Sequence, residues 1–163
     1  MRSRLEPIYL SNVLLFIDSP NTILAFPFVS RNCREAMRIL KTNPAAFRKS
    51  PRDILKYFPN INTMVVRDFS VLNRAELPNT VTSIVVQGNY VYPIYWDCRC
   101  PYADRIVRIR PLVFSWYRLD LSAFPRLECL TLVTNHDSFH ITYPAHRLKR
   151  LVVFHDASRG DEP

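Results

Sequence analysis

A chain of 163 residues, 48% hydrophobic and 22% charged, has the composition of one ordinary folded domain or of two small ones sharing a core, which excludes wholesale disorder and collagen-like structure. The net charge of +8 arises from 22 Lys and Arg, only four of them lysines, against 14 Asp and Glu; it permits acidic or nucleic-acid partners and by itself selects neither. Glycine occurs only at positions 88 and 160, which excludes the Gly-rich phosphate loops and the nucleophile elbow, and no apolar run approaches the roughly 20 residues that a membrane-spanning helix needs.

Met1 to Pro7 meets Arg2, Arg4, Glu6 and a proline before any apolar core, so no signal peptide is expected. Pro7 starts a first helix whose apolar face is expected at Leu10, Val13, Leu14 and Ile17. Asp18-Ser19-Pro20 stops it and starts a second, which Pro27 should end or kink. Ser30 caps a third helix with the face Cys33, Ala36, Met37 and Leu40, closed by Asn43-Pro44. Ser50-Pro51 repeats the cap-plus-proline start for a fourth, which feeds Ile54 and Phe58. None of these is long enough to be stable alone, so they must pack on one another.

After Phe58 the period changes and an internal repeat emerges. The template apolar-x-x-apolar-x-apolar is met by Ile61/Met64/Val66, Val81/Ile84/Val86, Leu127/Leu130/Leu132 and Leu148/Leu151/Val153. A weaker copy at Ile106/Ile109 has Pro111 where the last apolar residue belongs. A proline precedes each copy, at 59, 78, 101, 125 and 144. Such a unit buries its strand residues only by stacking on its neighbours, so about three are needed for stability. An ordinary antiparallel sheet with a strand every twenty residues or so is the alternative.

The repeat resembles the leucine-rich repeat, L-x-x-L-x-L, in irregular form, since the usual Asn or Cys after the strand is not regularly present. Leu5, Pro7 and the apolar run to Ile17, with Val29, Arg31 and Arg34, resemble the F-box, although Pro27 interrupts the second helix and Cys33 stands where the family has Trp. The resemblance implies an α+β, solenoid-like chain: an F-box-like helical module or N-terminal cap over residues 1–57, about five irregular leucine-rich-repeat units over 58–156, and a polar tail over 157–163 that is expected to fray. It further implies a substrate receptor that docks on the Skp adaptor of a cullin–RING ubiquitin ligase. The adaptor contacts would be Leu5, Pro7, Ile8, Leu10, Val13, Leu14, Val29 and Arg31, and the repeats would hold a substrate. Alternatively the helices only seal the first repeat, because a solenoid end exposes apolar edges.

If i+3 and i+5 of each copy point inward, the alternate positions form an outward face. It comprises Thr63, Val65, Arg67, Ser83, Val85, Gln87, Arg108, Arg110, Leu112, Cys129, Thr131, Val133, Arg150, Val152 and Phe154. Val65, Arg67, Val85, Gln87, Arg108, Arg110, Thr131, Arg150 and Val152 are the candidate partner contacts, aliphatic area mixed with arginine anchors. Arg105 to Arg110, followed by Trp116 and Tyr117, has the basic-aromatic interleaving of a nucleic-acid surface and equally that of a half-buried strand. Arg150, Val152 and Phe154 match the short docking motif Arg-x-Val-x-Phe of type-one protein phosphatases, so a phosphatase regulator is a second function class.

Cys98-x-Cys100 lacks a second ligand pair other than the loop residues His136 and His140, so no metal is expected. The four cysteines are expected as reduced thiols in a cytoplasmic or nuclear protein. The contiguous His136-Asp137-Ser138 cannot converge as a triad, whose members come from separate elements, and no cofactor is called for. The expectation is a binding protein and not an enzyme.

Overall fold

The computed structural model describes residues 5–88, 100–114, 118–134, 140–142 and 148–155, with side chains at all of these except 111–114 and 118–119. The chain is mixed α+β and divides into two compact units: 1–66 with 75–82, and 67–74 with 83–163. The first strand copy thus goes with the helices.

In the first unit, α1 (Pro7–Leu15), α2 (Pro20–Val29), α3 (Arg31–Ile39) and α4 (Pro51–Tyr57) begin where the caps and prolines place them. Ser19, Ser30 and Ser50 each accept a hydrogen bond from the backbone N–H three residues on, which relieves an orphan donor of the first turn. α3 buries Cys33, Ala36, Met37 and, just beyond its end, Leu40, as its periodicity requires. Pro27 lies in the last turn of α2, which ends two residues later at Val29; its missing N–H removes one backbone hydrogen bond there. One helix departs from expectation. α1 is rotated: Pro7, Ser11 and Leu14 form the inner stripe, while Val13 faces solvent. Ser11 tolerates burial because its hydroxyl donates to the Ile8 carbonyl at 2.8 Å.

Phe47 and Phe58 are fully buried and meet edge-to-face at 5.3 Å, with Tyr57 on the other side of Phe47 at 5.4 Å. Beside them lies β1 (Thr63–Val66), whose Met64 and Val66 are buried with Ile61. Leu40 to Pro44 precede β1 as a further partial turn, with Thr42 bridged in parallel to Thr63. Here Asn43 takes the place of a strand. Its side-chain amide donates to the Val65 carbonyl at 2.9 Å and its oxygen accepts from the Val65 N–H at 2.8 Å, in a site where Asn43 is 1% exposed.

The second unit is solenoid-like. β2 (Ser83–Gln87), β3 (Ile106–Phe114), β5 (Cys129–Thr134) and β7 (Arg150–His155) form a parallel sheet in that order, and β4 (Arg118–Asp120) pairs in parallel with β6 (His140–Thr142) in a second, shorter one. From β3 onward the chain alternates between the two sheets. Ile84, Val86, Ile106, Ile109, Leu130 and Leu132 point inward and are buried, the positions the template selects. Between Ile109 and Leu112 the β3–β5 register slips, at Pro111, which has no N–H for the ladder. Leu112, expected on the outward face, follows that slip, and its side chain lies outside the described set.

Within each unit, backbone bonds accepted one residue after a first apolar position tie the strands together. The Lys41 carbonyl accepts from the N–H groups of Asn62 and Thr63, and that of Asn62 from Thr82. In the second unit the Val107 carbonyl accepts from Glu128, and the Glu128 carbonyl from Lys149 and Arg150. Prolines shape the approaches: the carbonyl of Pro78 accepts from the Val81 N–H, and that of Phe124, just before Pro125, from Leu127, both at 3.1 Å. Among the described residues no helix is long and apolar enough to cross a membrane.

Replacing Asn43 by Ala removes two hydrogen bonds and strands two backbone groups of β1 in a dry site, so a loss of about 2–4 kcal/mol is expected. Thermal unfolding monitored by circular dichroism checks it; an unchanged midpoint would remove the strand-like role of Asn43.

Candidate docking surfaces

The first surface belongs to the helices. α1 is apolar on nearly every side, a pattern that ordinarily marks a buried helix, yet only its inner stripe is covered. Leu5, Ile8, Val13 and Val29 are 63%, 53%, 52% and 75% exposed, and Arg31 is exposed as well. Pro7 and Leu10 are half-buried. Leu14 is fully buried, so of the adaptor-contact candidates it alone belongs wholly to the core. The Asn32 side chain donates to the Leu5 carbonyl at 2.8 Å, which ties the entry to α1 to the start of α3 and brings Leu5 beside Arg31 across 27 residues of sequence.

Tyr9, Phe16 and Phe28 are exposed too and were not singled out by the sequence reading. A signal existed. Tyr9, Val13 and Phe16 stand at i, i+4 and i+7, a second apolar stripe interleaved with the first.

Each unit also has outward strand positions. Val65 in β1 and Val85, Arg110, Thr131 and Val152 in the second unit are half-buried, whereas Arg67, Gln87, Arg108 and Arg150 are exposed. The ladder aligns Val85, Arg108, Cys129 and Arg150 in one row across four strands, with Gln87 level with Arg110 in the next. Gly88 fixes the exit of β2: its N–H donates to the Arg110 carbonyl at 3.0 Å, and a Cβ built there would stand 2.0 Å from the Arg67 carbonyl oxygen. Only glycine permits that approach. Glu128, beside Cys129, is held by Lys149 at 3.1 Å.

At the last strand the expected burial weakens. Leu151 and Val153, inward by register, are 43% and 42% exposed because β7 has a strand neighbour on one side only among the described residues. Phe154 faces outward and is exposed, so the core does not claim it.

Cys33 and Cys100 are buried free thiols and Cys129 is partly exposed. Burial pushes the Cys100 thiol up, against a backbone hydrogen bond at Tyr102 that lowers it, and the nearby Asp104 charge raises it further. Cys98 and His136, the other parts of the metal pattern weighed from sequence, lie outside the described residues, as do Trp116, Tyr117, Asp137 and Ser138. Among the described residues no three metal-ligating side chains gather. Comparison with protein-family models, curated proteins and solved structures finds no match for this chain.

The outward alternation makes Cys129 the first of these three thiols to react with iodoacetamide in the native protein, with Cys33 and Cys100 protected until unfolding. Peptide mapping by mass spectrometry after timed labelling near pH 8 checks the order; early labelling of Cys100 would contradict its burial. Because the folded Cys100 value is raised, its contribution to stability is complete below the ordinary thiol range and is lost as pH rises through that range toward the raised value.

Proposed function

We propose that this chain is a non-enzymatic protein–protein adaptor. In this reading it is an F-box-like substrate receptor whose helices dock on the Skp adaptor of a cullin–RING ubiquitin ligase, and its strand copies, irregular leucine-rich repeats, hold the substrate. The observation that supports it most is the outward exposure of Leu5, Ile8, Val13 and Val29 together with Tyr9, Phe16 and Phe28. Residues serving only as a helical cap would be buried. Fully covering one such side chain is worth about 1.5–3 kcal/mol, so a handful supplies the driving force for a stable contact. Cys33, where the family carries Trp, is 4% exposed, its Sγ accepting from the Ser30 hydroxyl at 3.2 Å, so it packs the core and takes no part in docking.

A second reading has its own observation. Arg150, Val152 and Phe154 alternate along the outward face of β7, with Arg150 and Phe154 exposed and Val152 half-buried. A type-one phosphatase catalytic subunit binding the intact chain, and losing that binding when Val152 and Phe154 become Ala, would favour this reading.

For the leading reading, Ile8→Glu with Val13→Glu is expected to abolish capture by a purified Skp adaptor while moving stability by less than about 1 kcal/mol, as exposed substitutions do. Leu14→Glu should unfold the first unit. Failure of the wild-type chain to bind the adaptor at concentrations on the order of tens of micromolar would end the ligase role.

A further inference from the structure

We propose that the outward face of the sheet β2-β3-β5-β7 binds an extended acidic polypeptide segment. This names the chemistry of the substrate in the adaptor reading and rests on that reading only for the word substrate; the binding itself is independent of any ligase.

The argument begins with charge. Arg108 and Arg110 are two residues apart on β3 and therefore project from the same side, and Arg150 shares the row of Arg108. None of the three has an ion-pair or hydrogen-bond partner for its side chain among the described residues. The carboxylate closest to the row in sequence, Glu128, is already engaged by Lys149. The described outward positions of this sheet carry no Asp or Glu. Three like charges on one face repel one another, and a negatively charged occupant relieves that repulsion while gaining paired hydrogen bonds from each guanidinium fork.

The floor between the arginines decides what kind of anion fits. Val85, Thr131, Val133 and Val152 are half-buried, an aliphatic surface suited to burying side chains of a polypeptide. A single-stranded nucleic acid would call for a series of rings to stack its bases, and Phe154 is the sole aromatic residue among the described outward positions. Geometry suits an extended chain as well. Arg108 and Arg150 lie two strand spacings apart, about 9–10 Å, and an extended chain of the polyproline II kind, with three residues per turn and a rise of about 3.1 Å per residue, carries acidic side chains at i and i+3 on one side at about that distance, so they can meet both.

The test uses the full chain and a fluorescent peptide of repeated Glu-Val-Val units, which places Glu at i and i+3, followed by anisotropy at low and moderate salt. Arg108→Glu with Arg150→Glu is expected to weaken binding about tenfold or more, whereas Arg48→Glu with Arg52→Glu, an equal charge change on exposed positions of the first unit, leaves it within about twofold. Arg108→Gln with Arg150→Gln serves as the milder variant if the reversal disturbs folding, and should weaken binding in the same direction. Equal loss in both charge reversals, no binding of the peptide to the wild-type chain, or displacement of the peptide by oligothymidylate more readily than by poly-L-glutamate overturns the proposal. Peptide binding without adaptor capture would uphold this face and reject the ligase reading; the converse would do the opposite.

Discussion

Within each unit the strands depend on a recurring backbone hydrogen bond, from the N–H groups at a strand's entry to the carbonyl one residue past the first apolar position of the copy before it. Lys41, Asn62, Val107 and Glu128 are those acceptors. The bond fixes register, and because side chains alternate along a strand, a slip of one residue would exchange the core with the surface along that copy. Val86, Ile109 and Leu130 are all buried because the ladder of the second unit pairs them with one another. The arginine row exists for the same reason. Core and arginine row are two consequences of one register.

Within the first unit the ladder needs a beginning. A strand with no predecessor leaves alternate N–H and C=O groups unpaired. Asn43 resolves this by offering a donor and an acceptor from one side chain, a peptide-like group turned sideways. Leu40 packs at the first apolar position of that partial turn, 21 residues before Ile61, the spacing that later separates Leu127 from Leu148.

This explains which features could be read from the sequence. The strand copies were legible because stacking forces the same apolar spacing on each, and the caps of α2, α3 and α4 because serine before proline or before an apolar run has few other uses. The partial turn at Leu40 was hidden by Asn43, a polar residue at a core position, which reads as the end of a helix. The inner face of α1 was ambiguous because nearly every side of the helix is apolar and Ser11, the residue that marks the buried stripe, looks like a surface residue until its bond to Ile8 is seen. β4 and β6 are three residues each, too short to carry a period. A second motif also went unread. Asp68-x-Ser70 and Asp120-x-Ser122 each fold the aspartate oxygen onto the serine N–H at 2.9 Å, and each sets a buried residue, Leu72 or Phe124, two positions further on.

The distribution of charge separates the two surfaces chemically. From Leu5 to Ser30 there is no lysine or arginine, and the ionisable side chains are Glu6, Tyr9 and Asp18. That stretch carries two negative charges and no positive one, so the positive balance resides in the rest of the chain, including the row on β3 and β7. A face built from Ile8, Val13 and Phe16 gains its affinity from buried area, which rising salt does not screen; a face built from Arg108, Arg110 and Arg150 draws on charge, which salt screens within about 10 Å at 0.1 M. An acidic ligand thus has little reason to settle on α1 and α2, and an apolar ligand finds its larger uncovered aromatic and aliphatic area there and not on the arginine row. The two surfaces therefore offer different chemistry, buried apolar area on one and unpaired positive charge on the other, and salt acts on only the second.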